Sequence, residues 1–288
     1  MKARNFRYIR PRSLDHTYRI LQNEGAEAIP VAGGQSLLPG LNMRLSAPKL
    51  LVDLGDLQEL TSIAHTDREV RLGALTRHCD LLRSKIVREK LPLLKQAAAH
   101  IGHVAIRNRG TLGGSLAYAD PAAELPACSV ALDAILVLGG LAGEREVRAE
   151  DFFKGLFETD LRPGELILAV RFPLPEKKAT VGFAELARRH GDFSLVGLAA
   201  VAALEDAKIT QARLVYFGCN DHAKLARTVS QVVTGVRLPL ADNTAFEKAV
   251  EQDLQPYDTP GLRADTRIHM AKVLTRRVLN SLPGGQSA

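Results

Sequence analysis

With 288 residues, a formal charge of +6, 46 % hydrophobic and 24 % charged residues, the chain has the balance of an ordinary soluble globular protein and the length of two domains. No apolar run approaches the roughly 18 to 20 residues that span a bilayer. The start, Met1-Lys-Ala-Arg-Asn-Phe-Arg, lacks the apolar region of a secretory signal. Cys79, Cys128 and Cys219 are scattered with no CxxC, so no iron–sulfur cluster or zinc knuckle is encoded, and reduced thiols in a cytoplasmic protein are expected.

In chain order, residues 13–23 read as a helix with Ser13 as N-cap. Residues 28–32 read as a short buried strand ending at Gly33-Gly34, 37–45 as a short helix, and 48–54 as another strand. This is a β-α-β-like opening with a phosphate-type turn between strand and helix. A strand over 70–73, helices over 76–82 and 91–101, a glycine-rich turn at 110–115 and a helix over 121–132 follow. Strands are expected at 134–138, 146–147 and 165–172, with Phe152, Phe153, Leu156 and Phe157 packing in the connection between the last two.

Pro173-Leu-Pro-Glu-Lys-Lys-Ala179 combines two prolines with charge and marks a boundary. Beyond it, strands at 180–188, 195–205 and 208–218 precede helices at 223–234, 243–252 and 263–281, an α+β pattern. The tail from Pro283 is expected to fray. Arg263, Arg267, Lys272, Arg276 and Arg277 give the last helix a basic excess. With no Trp and no nucleic-acid motif, it reads as a solvated or partner-facing surface.

Two stretches carry the chemistry: Val31-Ala-Gly-Gly-Gln-Ser-Leu37 and Arg109-Gly-Thr-Leu-Gly-Gly-Ser115. Each sets a glycine pair beside a hydroxyl residue. A glycine pair allows positive φ and close approach to a ligand, and successive N–H groups in such a turn form an anion-binding concavity. Neither fits GxGxxG or a P-loop. Alone, each is more often a tight structural turn. Together, with Asp120 and Glu124 able to bind ribityl or ribose hydroxyls, they point to a dinucleotide clamp. His100 and His103, three apart, have no further ligands nearby and read as packing or capping residues. Ser36 and Ser115 lack a nucleophile elbow, Cys128 reads as core, and Asp192 as a turn residue after Gly191.

Ala32-Gly-Gly-Gln-Ser-Leu, Thr111-Leu-Gly-Gly-Ser and Ala119-Asp-Pro-Ala-Ala-Glu-Leu-Pro126 resemble the FAD-binding medium subunit of the molybdenum hydroxylases, the xanthine dehydrogenase and carbon monoxide dehydrogenase family. The resemblance runs almost end to end, through Ile106-Arg-Asn-Arg109, Thr159-Asp-Leu-Arg-Pro-Gly-Glu165 and Arg188-Arg-His-Gly-Asp-Phe-Ser194. It implies an α+β fold: a two-part FAD-binding domain of the vanillyl-alcohol-oxidase type over 1–175, subdivided near 55, and a C-terminal domain over 176–288 with a three-stranded sheet and helices. It implies non-covalent FAD, because Gln35 stands where related oxidases place a flavin-linking His.

By the same resemblance, Ala32, Gly33, Gly34, Gln35, Ser36 and Leu37, with Thr111, Gly113, Gly114, Ser115 and Ala117, wrap the pyrophosphate and ribityl chain. Asp120 and Glu124 hold polar flavin atoms. Ile101, Gly102 and Leu161 lie near the ring system, and Phe193 falls where relatives place an aromatic. Some relatives have a Lys in the strand after Phe183; here Ala184 and Glu185 stand there. No metal ligand or catalytic side chain is implied in this chain. The implied partners are a large molybdenum-cofactor subunit and a small subunit with two [2Fe–2S] clusters, in a heterohexamer of two heterotrimers, with an external electron acceptor. A stand-alone FAD oxidase and a flavin-free assembly protein remain as rivals.

Overall fold

The computed structural model describes residues 2–175, 179–240 and 244–283. Strands β1 (Arg7–Ile9), β2 (Ala28–Val31) and β3 (Leu50–Asp53) form a parallel sheet in the order β1-β3-β2. Helices α1 (Leu14–Glu24) and α2 (Leu37–Asn42) are its crossovers. Ser13 Oγ accepts from His16 N at 3.2 Å and starts α1. Leu14, Thr17, Tyr18 and Leu21 then recur at helical spacing and face Leu50, Val52 and Leu54. Residues 7–9 were not expected as a strand. Their neighbours are mostly exposed, and only pairing with β3 makes them one.

A second, antiparallel sheet takes β4 (Ile63–His65), β5 (Glu69–Gly73), β6 (Ile135–Gly140), β7 (Gly143–Arg148) and β10 (Leu166–Pro173) in the order β4-β5-β10-β6-β7. The remaining elements of this half are α3 (His78–Arg83), α4 (Lys85–Lys90), α5 (Pro92–Ala98), α6 (Val104–Arg107), α7 (Leu112–Tyr118), α8 (Glu124–Ala131), α9 (Ala149–Phe152) and the hairpin β8 (Phe153–Gly155) with β9 (Glu158–Thr159). The apolar run in β10 is explained by burial on both faces. Leu166, Leu168 and Ala169 join Leu21 and Val52, while Val170 and Phe172 join Leu93, Leu116 and Leu125 on the helical side.

The C-terminal strands β11 (Ala179–Leu186), β12 (Val196–Glu205), β13 (Lys208–Phe217) and β14 (Lys224–Leu225) form an antiparallel sheet in that order. The expected three strands are there, and the two-residue β14 is a fourth, at the start of the stretch expected to be helical. Helices α10 (Arg227–Val233), α11 (Thr244–Asp253) and α12 (Ala264–Asn280) cover one face, where Leu198, Ala200 and Leu214 meet Val250, Leu274 and Val278. On the other face Ala199, Val215 and Phe217 join the core of the preceding half.

Helix α8 is therefore buried on all sides, from Leu125 to Ala131. Its last carbonyls, Val130 O and Ala131 O, are capped by Arg213 of β13 at 2.8 and 3.2 Å. The helix expected from 121 starts at Glu124, because Asp120 Oδ1 accepts from Ala122 N at 2.9 Å and holds 120–123 as a turn. The helix expected over 91–101 ends earlier, at Ala98. Part of the expected boundary, residues 176–178, lies outside the described residues, as do 243 and the tail from 284.

Arg267 corrects the reading of the last helix as a solvated or partner-facing surface. It is buried and donates to Leu195 O at 2.6 Å and to Thr259 Oγ1 at 3.0 Å. Lys272 pairs with Glu251 and Arg276 with Glu247. The stripe is largely spent inside the fold.

Candidate functional site

The chain leaves β2 at Val31 and turns through Ala32, Gly33, Gly34, Gln35 and Ser36 into α2. Gly34 sits at φ 70°. Gln35 Nε2 donates to Gly33 O at 3.0 Å and closes the turn. Ser36 is the helix N-cap residue, but its side chain makes no capping bond. The N–H groups of Gly34, Gln35, Ser36 and Leu37 have no acceptor among the described residues. Four successive free donors on a half-exposed turn form an anion nest.

The second cluster is built differently. Thr111 caps α7, its Oγ1 accepting from Gly114 N at 3.1 Å. Leu112 N donates to Thr76 O at 2.9 Å, Gly113 N to Ala74 O at 2.8 Å, and Ser115 N to Thr111 O at 3.0 Å. These N–H groups are spent on the fold, which corrects the expectation of a second set of free donors. The hydroxyls of Thr111 and Ser115 remain to serve a ligand. Nor do Gly113 and Gly114 adopt positive φ. Gly113 answers a need for space: a Cβ there would lie 2.6 Å from Ala74 Cβ.

The two clusters meet. A Cβ on Gly33 would fall 2.2 Å from Arg109 O, and one on Gly114 would fall 3.5 Å from Ala32 Cβ. His78 lies beneath, its N–H bonded to Gly110 O at 3.0 Å, and burial pushes its imidazole down to about 4.

From α7 the chain turns at Ala119, in the left-handed region, to Asp120 and Glu124. Burial raises the Asp120 carboxyl. Burial, with added repulsion from Glu185 and Asp120, pushes Glu124 up to about 8. Burial thus favours the protonated form of Glu124, which can donate as well as accept.

Ile101 and Gly102 form the turn after α5, Gly102 at φ 43°. Arg107 Nη1 donates to both of their carbonyl oxygens, at 2.9 and 2.7 Å. The turn of Gly191 and Asp192 packs against it, a Cβ on Gly191 falling 3.1 Å from Gly102 O. That turn presents Phe193, 74 % exposed. Leu161 follows β9 in a loop held by Arg145, which binds Asp160 Oδ2 and both Glu165 carboxylate oxygens at 2.7 Å. Tyr118, next to exposed Ala117, meets Phe157 of the same hairpin at 5.1 Å between ring centroids.

The fold thus joins residues 32–34 directly to 109–114, Gly102 to the turn that carries Phe193, and Asp120 to Glu124. Leu161 packs against the core that also holds Ile101, Leu116 and Ala119. Among the described residues no group of three or more His, Cys, Asp or Glu stands together to hold a metal. His103 is exposed at the start of α6, whereas His100 Nδ1 lies 3.3 Å from Glu185 Oε1. Arg107, Arg145 and the His100–Glu185 pair were given no role in the sequence reading. The one signal for Arg107 was its place in the Ile106-Arg-Asn-Arg109 stretch that carries the resemblance.

Residues 4–175 match the family described as the FAD binding domain in molybdopterin dehydrogenase. Residues 182–282 match the CO dehydrogenase flavoprotein C-terminal domain. The chain is 39 % identical over 280 residues to the 6-hydroxypseudooxynicotine dehydrogenase complex subunit alpha of Paenarthrobacter nicotinovorans, covering 97 % of this chain and 95 % of that one. It is 40 % identical over 282 residues to the caffeine dehydrogenase subunit beta of Pseudomonas sp. (strain CBB1), with the same coverage. It superposes with a TM-score of 0.93 on a chain of carbon monoxide dehydrogenase from Hydrogenophaga pseudoflava solved without the Mo-pyranopterin moiety, at 31 % identity and 98 % coverage of both chains.

Proposed function

The chain belongs to the FAD-binding medium subunits of the molybdenum hydroxylases, and from that premise we propose that it is an electron relay. It takes electrons from the [2Fe–2S] clusters of a small partner subunit and passes them to an external acceptor. The organic substrate is hydroxylated in a large molybdenum subunit, and two such heterotrimers form the assembly. The domain division at 175/176 and a cytoplasmic location belong to the same reading.

The observation that carries it is the run of free N–H groups from Gly34 to Leu37, set against the bare backbone of Arg109 and Gly110. This cradle fits a pyrophosphate and tolerates no Cβ at Gly33. The acid at Glu124 and the hydroxyls of Thr111 and Ser115 fit the polyhydroxyl part of FAD. When bound, the flavin supplies exchange between one-electron and two-electron carriers. The chain's own residues bind and orient it. The residues 34–37 donate to phosphate oxygens, and Asp120 and Glu124 bond ribityl or ring atoms. Arg107 holds the Ile101–Gly102 turn, Arg145 holds Leu161, and Phe193 offers an aromatic face. Gln35 offers no nucleophile, which supports non-covalent binding.

The test is a visible absorption spectrum of the purified chain, with the released flavin identified by chromatography. FAD at about one per chain is expected. A colourless protein that takes up no FAD would sink the reading. Rapid flavin reduction in the three-subunit complex on adding its organic substrate, and none in this chain alone, separates the relay from a stand-alone oxidase.

A further inference from the structure

Gly33 and Gly110 stand at the contact between the two glycine turns, and neither has positive φ. Space, not backbone conformation, therefore excludes a side chain at both. A Cβ on Gly33 would lie 2.8 Å from Gly110 Cα. One on Gly110 would lie 2.7 Å from Cε1 and 2.9 Å from Nδ1 of His78. The three residues are packed in succession, the imidazole edge against Gly110 and Gly110 against Gly33.

The backbone holds this packing from two sides. Residues 76–78 and 110–112 run antiparallel: His78 N donates to Gly110 O at 3.0 Å, Leu112 N to Thr76 O at 2.9 Å, and Arg77 pairs with Thr111. From α6, Ile106 O accepts from Gly110 N at 2.7 Å. Gly110 is thus fixed at its amide, its carbonyl and its Cα. The His78 side chain is buried, and neither ring nitrogen has a hydrogen-bond partner. The Thr111 backbone stands near the ring without meeting hydrogen-bond geometry. Leaving buried polar atoms unbonded costs stability, so hydrogen bonding does not account for an imidazole here. Its contact with Gly110 does: the residue supplies a flat, narrow edge.

We propose that His78 is a positioning residue for the FAD site: its ring edge sets the depth at which Gly110 rests and, through Gly110, the separation of the donor turn at 34–37 from the hydroxyls of Thr111 and Ser115. A smaller side chain at 78 lets Gly110 settle away from Gly33 and widens the cradle. A larger one drives Gly110 into Gly33. Either change misplaces the donors relative to the hydroxyls, while the span of the ligand between pyrophosphate and ribityl chain stays the same. The inference rests on the proposed binding of FAD.

The test is an exchange of size between positions 78 and 110 in the full chain, read by flavin fluorescence titration with FAD. Uptake by the wild type is measured first; a wild-type chain that takes up no FAD overturns the reading on which the inference stands. His78→Ala and Gly110→Ala are each expected to weaken FAD binding roughly tenfold or more. His78→Asn, which keeps atoms near the Nδ1 edge of the ring, should recover part of the loss seen in His78→Ala. The double variant His78→Ala, Gly110→Ala places a methyl group where the ring stood. It is expected to bind FAD at least about threefold better than Gly110→Ala alone. Leu81→Ala, at a buried position on the same helix, should lower the melting temperature and leave FAD affinity within about twofold of wild type. With the wild type loaded, a double variant no better than Gly110→Ala, or a Leu81→Ala chain as weak as His78→Ala, overturns the inference and leaves FAD binding intact. Should Gly110→Ala fail to fold, His78→Asn against His78→Ala decides, and equal affinities reject the proposal.

Discussion

Gly33 stands so close to Arg109 that a methyl group on it would lie 2.2 Å from the Arg109 carbonyl oxygen and 2.8 Å from Gly110 Cα. Both of these are backbone atoms, so no rotamer change makes room. Gly33→Ala is expected to force the two glycine turns apart, at a cost of roughly 1–3 kcal/mol in stability, and to weaken FAD binding at least about tenfold, since 1.4 kcal/mol is one decade. Gly34→Ala meets only the flexible end of Leu38 at 3.0 Å, but must hold φ 70°. It should cost about 1 kcal/mol and bind better than Gly33→Ala. Flavin fluorescence titration and thermal melts of both variants check this; the reverse order would show that the contact between the turns does not shape the cradle.

Arg107 fixes the Ile101–Gly102 turn by giving one guanidinium nitrogen to two carbonyl oxygens. Arg107→Met removes charge-assisted bonds worth roughly 1.5–3 kcal/mol and frees both carbonyls. The expected outcome is a lower melting temperature and a shifted visible flavin band. Arg107→Lys, with a single ammonium in place of the fork, should recover part of each.

Two buried groups pull stability in opposite directions with pH. Glu124 is raised from 4.5 to about 8 on folding, so the folded chain holds the extra proton between those values. Stability then falls as pH rises from 4.5 to 8. His78 is lowered from 6.5 to about 4, so the unfolded chain holds the extra proton there, and stability falls as pH drops from 6.5 to 4. Between 4.5 and 6.5 the effects oppose each other; above 6.5 Glu124 acts without His78. Its slope is at most about 1.4 kcal/mol per pH unit. In urea unfolding of the flavin-free chain, Glu124→Gln should flatten stability between pH 6.5 and 8. His78→Asn should leave stability rising towards pH 4.5.

The helices and strands with clear periodicity were legible. Ser13 announced α1, and the turn after Val31 was read as an anion site because glycine, hydroxyl and helix start coincide there. What escaped depends on distant partners. Residues 7–9 become a strand only by lying beside β3. The glycines at 113 and 114 looked like a second nest, yet their N–H groups go to Ala74 O and Thr111 Oγ1, acceptors fixed by tertiary contact and by a cap. Glu185 carried no signal, since its meaning lies in burial beside His100, 85 positions away.

Arg267 shows the same limit and gives the last prediction. In the sequence it is one of five basic residues on a helix. In the fold its guanidinium bonds the carbonyls of Leu195 and Gly218, and Gly218 N donates to Pro121 O at 2.7 Å, next to Asp120. One buried cation thus ties α12 to the end of the C-terminal sheet where β12 begins and β13 finishes and, through Gly218, to the acidic turn of the candidate site. Arg267→Met keeps the apolar stem but leaves the carbonyls of Leu195 and Gly218 without this donor, costing about 1–3 kcal/mol for each one left unsatisfied. FAD affinity should drop as well, although residue 267 touches none of the residues proposed to hold the cofactor. Arg263→Met, at a position on the same helix where the side chain is 78 % exposed, should change neither. Melting curves with and without FAD separate the two. An Arg267→Met protein that is destabilised yet binds FAD as tightly as wild type would show that the Gly218–Pro121 link carries no strain into the site.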